Sequence, residues 1–221
     1  MSRVCFVGET HAAHTMAEAA HRRGHTVLRD PADAALIFLA MDTPTKANGE
    51  RDLETIRKMV KDVPATVGTR TVVLTSQVPP GFTRSLGMSY LYHQSETLRI
   101  EDALQRAMFP EMFIVGAYSR IAALSREYRE YMESFDCPIL VGSYEDAEFS
   151  KIAINMTLAA QVENANRLSK AAEYYNARWE FVSRVLRHDS RIGKYAYLTP
   201  GRWQDSRHLL RDHVTLEELL K

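Results

Sequence analysis

The sequence predicts an α/β fold followed by an all-helical part, and three observations lead there. Short apolar runs of strand length recur through residues 1–142 and alternate with helix-length amphipathic segments. The chain opens with an apolar run, a glycine and then a helical pattern. From Tyr144 onward the strand-like runs stop, and Asp146–Asn176 continues without Gly or Pro. Two parts are expected, a sheet domain over 1–142 and a helical domain over 143–221.

Arg3–Val7 reads as a short buried strand ending at Gly8, and His11–Arg23 as a helix stopped by Gly24. Strand, glycine turn and helix at the N-terminus are how a Rossmann-like dinucleotide-binding domain begins. Of the G-x-G-x-x-G fingerprint only Gly8 stands, with Thr10 and Ala13 in the second and third places. A hydroxyl and Cβ at Thr10 crowd the approach of backbone to a pyrophosphate, whereas alanine is tolerated at the third place. Thr26–Leu28 is a candidate second strand, with Asp30 after it as a ribose-binding acid. Ala34–Met41 is plainly a buried strand. The gap between the two, about five residues, is too short for a parallel crossover of a dozen or more. Either Thr26–Leu28 is a lead-in, or the two strands are not parallel neighbours. In both cases the part that holds an adenosine is cut down, so the parallel sheet is expected to be a shortened Rossmann-like one.

Asp42–Thr45 is a turn, Leu53–Lys61 an amphipathic helix and Arg70–Thr75 a buried strand. Tyr90–His93 is a short strand, Ile100–Ala107 a short helix, Met112–Gly116 a strand and Arg120–Ser134 a helix with Tyr and Leu on one face. Pro138–Val141 is the last strand. A helix as long as Asp146–Asn176 buries its middle against another chain or domain, so 146–176 is expected to be a homodimer seam. Trp179–Leu186 is a further helix, Arg191–Gly193 and Leu198–Gly201 are loops, and Leu216–Lys221 is a last helical turn.

The chain has 28 Lys plus Arg against 28 Asp plus Glu. Nothing global favours nucleic acid or an anionic membrane as partner. Cys5 and Cys137 lie in apolar runs, as free thiols of a reducing compartment do. Arg3 leads straight into a short apolar run, unlike a signal peptide, and no run nears the roughly 20 residues of a spanning helix. A soluble, cytoplasmic protein is expected.

Lys151 and Asn155 are four apart on the long helix and share one face. An ammonium and a carboxamide so placed can both donate to one developing oxyanion. They can equally be a solvated lysine and a mid-helix asparagine, since such pairs are common. His11 and His14 are three apart, but no third ligand has matching spacing, so no metal is expected. The basic stretches Arg184–Arg191 and Arg202–Arg211 suit either a bound anion or a solvated face.

Taken together, these stretches resemble the UDP-glucose/GDP-mannose dehydrogenase family from Val4 to about Asp212. The family's V-P-T-P-T turn is matched by Met41-Asp42-Thr43-Pro44-Thr45, leading to Asn48-Gly49 and Asp52-Leu53. Its S-T-V-P-P-G-T segment is matched by Ser76–Phe82, with Gln77 in the threonine place. P-E-F-L-R is similar to Ser95-Glu96-Thr97-Leu98-Arg99, and the later N-P-D-R run is met loosely by Phe109–Gly116. A-E-L-x-K-x-x-x-N falls on Ala147, Glu148, Phe149, Lys151 and Asn155, and a second family asparagine on Asn166. D-P-R-I-G and L-x-P-G fall on Asp189–Gly193 and Leu198–Gly201.

The resemblance implies NAD as cofactor, a sugar nucleotide as substrate, and cofactor contacts at Gly8, Thr10, Ala13, Thr43, Pro44, Ser76 and Gln77. It implies catalytic roles for Glu96, Lys151 and Asn155, with the Lys and Asn stabilising oxyanions. Family members oxidise C6 of a nucleotide-linked hexose twice, through a thioester on the cysteine of G-G-S-C-F-P-K-D. That segment falls on Asp205–Asp212, where the aspartate stands as Asp212 and the cysteine place holds His208. An imidazole cannot form the thioester. The family's C-terminal domain, which closes over the nucleotide, is expected to be missing. Two readings follow: a degenerate, non-catalytic homologue or pseudoenzyme built on the dimer helix, or an oxidoreductase limited to one hydride transfer. Different chemistry in the same cleft, with His208 or Asp212 as acid or base, stays open.

Overall fold

The computed structural model describes residues 1–46, 50–67, 70–88, 90–121 and 123–220, apart from the side chains of 64–67. Asn48 and Gly49 of the resemblance therefore lie outside the described residues, as does Lys221. The chain divides into two compact units: Met1–Lys46 with Arg51–Lys151, and Ile152 onward.

The first unit is built on a seven-stranded sheet. Its strands are β1 (Arg3–Val7), β2 (Thr26–Leu28), β3 (Leu36–Leu39), β4 (Thr71–Leu74), β5 (Leu91–Ser95), β6 (Phe113–Ala117) and β7 (Ile139–Ser143), in the order β2-β1-β3-β4-β5-β6-β7. The helices are α1 (His11–Arg22), α2 (Glu54–Val67), α3 (Phe82–Ser85), α4 (Ala103–Met108) and α5 (Arg126–Glu133). Side chains alternate across the strands. Val4, Leu36, Phe38 and Val73 pack under α1 and α5, while Cys5, Ile37, Leu39, Val72 and Leu74 pack under α2 and α3. The α5 face is aromatic, with Phe38, Tyr128, Tyr131 and Phe135 in ring contact.

The short gap after β2 is resolved by the strand order. β2 and β3 are both parallel to β1 but lie on its two sides. β2 ends opposite Cys5 and β3 begins opposite Val4, so the link steps sideways past β1 and back by one residue. A full strand length is never retraced, and a 3-10 turn, Pro31–Asp33, suffices. Asp30 caps that turn, its Oδ1 accepting from Ala32 N at 2.7 Å.

Several elements differ from expectation. β6 is antiparallel to β5 and parallel to β7, so the sheet is mostly, not wholly, parallel. The link from β5 to β6 holds a 3-10 turn, Ile100–Asp102, and the six-residue α4, and β6 enters at the edge where β5 leaves. α5 starts at Arg126, not Arg120, because Ser125 caps it, accepting from Tyr128 N at 3.3 Å.

The long helix α6 (Tyr144–Tyr174) starts in the first unit and continues into the second. Its first turns lie along β5. The Tyr144 hydroxyl donates to the Leu91 carbonyl at the strand's start, and Ser95 Oγ at its end donates to the Ala147 carbonyl at 2.7 Å. Gly116 makes room for this: a Cβ there would stand 2.9 Å from Tyr144 Cα.

The second unit holds the rest of α6, α7 (Trp179–His188) and α8 (Arg207–Leu219). α8 replaces the short terminal turn expected from Leu216 and takes in most of the segment aligned with G-G-S-C-F-P-K-D. With those glycines absent, Arg207–Asp212 forms ordinary helix. The loop between α7 and α8 is tied to α6 by side chains. Asn166 pairs both ways with Gly201, donating to its carbonyl and accepting from its N–H, each at 2.8 Å. Gln161 accepts from Tyr197 N at 2.8 Å, and Trp179 Nε1 donates to the Leu198 carbonyl at 3.0 Å. Among the described residues no helix is long and apolar enough to cross a membrane.

Candidate active site

The strand order reverses at β1, with β2 on one side and β3 on the other, and a ligand crevice forms at the carboxyl ends beside such a point. Gly8 follows β1 there, at φ +140, and a Cβ on it would meet the Ala40 carbonyl oxygen at 2.3 Å. Only glycine fits this turn. Thr10 caps α1: its Oγ1 accepts from Ala13 N at 3.1 Å and donates to the Ala40 carbonyl at 2.7 Å. The hydroxyl is thus folded into the turn. Ala13, 2% exposed, is packed at the third glycine place.

Two neighbouring loops complete this edge. Thr43 is buried, and its Oγ1 donates to the Gln77 carbonyl at 2.8 Å, joining the loop after β3 to the loop after β4. The exposed Pro44 accepts from Asp52 N at 2.7 Å. Ser76 is 3% exposed, and its Oγ has no hydrogen-bond partner among the described residues. A buried hydroxyl without a partner is what a polar ligand group would satisfy. The glycine turn, the N-terminus of α1 and this hydroxyl fit a dinucleotide.

Glu96 follows β5 on the same edge, and its carboxylate accepts from Leu98 N. Burial raises its pKa, and the Lys151 ammonium, the Leu98 N–H and His11 pull against that, while Asp42 adds to it. Lys151, His11 and Asp42 are therefore each within electrostatic reach of Glu96, all in the first unit. Motif matching singled out Glu96 and Lys151. It missed His11 and Asp42 as neighbours of Glu96, and the signal available was only that both follow a strand end.

Asn155 and Asp212 lie in the second unit and meet there: Asn155 Nδ2 donates to Asp212 Oδ2 at 2.6 Å, with both residues buried. Lys151 and Asn155 are one turn apart on α6. His208 is exposed in the first turn of α8, its Nδ1 3.5 Å from Arg211 Nη2. Four residues on, Asp212 is fully buried, so the pair divides between surface and interior. Among the described residues no three His, Cys, Asp or Glu side chains are grouped to hold a metal ion.

The NAD binding domain of the UDP-glucose/GDP-mannose dehydrogenase family matches residues 3–119, and the central domain of that family matches residues 145–218. UDP-glucose 6-dehydrogenase YwqF of Bacillus subtilis is 29% identical over 174 residues, 73% of this chain and 39% of that protein. The chain spans less than half the length of the curated relatives it is compared with here. Among solved structures, a ternary complex of GDP-mannose dehydrogenase from Pseudomonas aeruginosa superposes with a TM-score of 0.73 at 20% identity, covering 98% of this chain and 65% of that one. The 3-hydroxyisobutyrate dehydrogenase of Mycobacterium tuberculosis gives 0.69 at 17% identity, covering all of this chain and 87% of that one. At these identities the two structures speak for the fold alone. The two domain matches together take in most of the chain, and it belongs to the UDP-glucose/GDP-mannose dehydrogenase family.

Proposed function

We propose that the protein is an NAD-dependent oxidoreductase that carries out one hydride transfer on the alcohol of a sugar nucleotide or related compound and stops at the carbonyl. The observation that carries this reading is the Glu96–Lys151 neighbourhood at the dinucleotide edge of the sheet. The absence of a cysteine at His208 removes the thioester route to the acid.

The chemistry balances without a nucleophile. The CH–OH group loses a hydride from carbon and a proton from oxygen and becomes C=O. NAD, when bound, supplies the hydride acceptor. Gly8, the N-terminus of α1, Thr43, Ser76 and Gln77 are the residues that would hold it. Lys151 donates a hydrogen bond to the oxygen as its proton leaves. Glu96 is the proton acceptor, a carboxylate whose pKa is raised by burial.

A second reading is favoured by two contacts. The Asn155 amide is already bonded to Asp212, and the Thr10 hydroxyl already caps α1. Both contacts stabilise the protein without any ligand, as a non-catalytic homologue would require.

Isothermal titration with NAD, NADH, UDP-glucose and GDP-mannose separates the two. Binding of a nicotinamide cofactor below about 1 mM is expected. Any turnover should yield one NADH per substrate molecule and be lost in Lys151→Ala by about 100-fold or more. Silence with all four ligands would remove the oxidoreductase reading and leave the non-catalytic one.

A further inference from the structure

We propose that Glu148 is a positioning residue, whose buried carboxylate ties the second turn of α6 to the start of α3 at Gly81 and Thr83 and so sets where the Lys151 ammonium stands. The inference rests on the role given to Lys151 above.

Glu148 is 1% exposed and uses both oxygens. Oε2 accepts from Gly81 N at 2.6 Å and Oε1 from Thr83 N at 2.8 Å. These amides open α3, a helix of only four residues whose cap, Gly81, has no side chain to bond them. The cap comes instead from α6, 67 and 65 residues further along the chain. Burial raises the Glu148 pKa, and the bonds from Thr83 and Gly81 oppose the rise. A carboxylate is a costly group to bury for packing alone, and its loss would strand the buried Thr83 amide and leave the half-buried Gly81 amide without this partner.

The contacts beside it make its role directional. Tyr144 and Ser95 hold α6 along β5, at Leu91 and Ala147. Glu148 holds it toward the start of α3. Lys151 is three residues on, over the same face of the helix.

Competitive labelling of lysine amines with acetic anhydride, read peptide by peptide in the mass spectrometer, tests this on the full chain without cofactor or substrate. Glu148→Gln turns an NH2 toward one of the two backbone donors. It should change the labelling rate of Lys151 by about fivefold or more, the equilibrium equivalent of one lost hydrogen bond. Lys58, Lys61 and Lys170 should keep their rates, and Glu148→Asp, which keeps the charge, should return Lys151 part of the way. An unchanged Lys151 overturns the proposal. So does a rise shared by all lysines, which would make Glu148 a residue of the fold only. If Glu148→Gln does not fold, the aspartate variant decides, and a Lys151 rate equal to wild type there overturns the proposal. A change confined to Lys151 together with no NAD binding supports the positioning and overturns the catalytic reading alone.

Discussion

His93 lies at the centre of β5, 2% exposed, opposite Gly116 of β6. Its Nε2 is 3.3 Å from Ser95 Oγ, and its Nδ1 has no partner among the described residues. Burial pushes its pKa down from 6.5 to about 4. The unfolded chain therefore binds a proton that the folded chain refuses. Stability is level above the ordinary value and falls as pH drops from 6.5 toward 4, by about 3 kcal/mol in all. His25, lowered by burial, adds to the loss with the same sign. Urea midpoints measured across this range should slope downward with acid, and His93→Asn should flatten the slope. Thr10 gives a second prediction: Thr10→Gly should cost a few tenths of a kcal/mol through the lost cap and strengthen NAD binding by calorimetry. No gain in affinity would show that Thr10 is no obstacle. Glu96, Lys151, Asn155 and Asp212 were all legible as motif positions. That Asn155 bonds Asp212 was not, because 57 residues separate them.

Among the elements, the close approaches are set by glycines, and these separate in a test. Gly8→Ala places a methyl against the Ala40 carbonyl, and Gly116→Ala places one against the α6 backbone. Each should lose about 3 kcal/mol or more by chemical denaturation. Gly201→Ala meets nothing within 4 Å and should be close to neutral. Element types followed from periodicity because the strands alternate strictly between two apolar layers. The direction of β6 did not follow, since the pattern of an apolar strand is the same whichever way it runs. α8 was missed for another reason: its segment was aligned with a glycine-rich loop, while its own residues favour helix.

For the molecule as a whole, the long helix carries the prediction. Phe149 on the first unit's part of α6, and Leu168 and Tyr174 on the second's, are 45%, 40% and 84% exposed. If α6 is a dimer seam, sedimentation should show a species near twice 25.2 kDa, and Leu168→Glu should convert it to monomer. A clean monomer at micromolar concentration would remove the seam.

Apolar spacing and short motifs were enough to read an α/β unit, a long helix and the family from the residues alone. Those signals are local, written into neighbours a few positions apart. The side of β1 on which β3 pairs, the reversal of β6, and the capping of α3 by a carboxylate on α6 emerged only in the folded chain. Each joins segments distant in sequence, and which partners meet is settled by burial and hydrogen bonding across the whole unit. No window of sequence contains both partners.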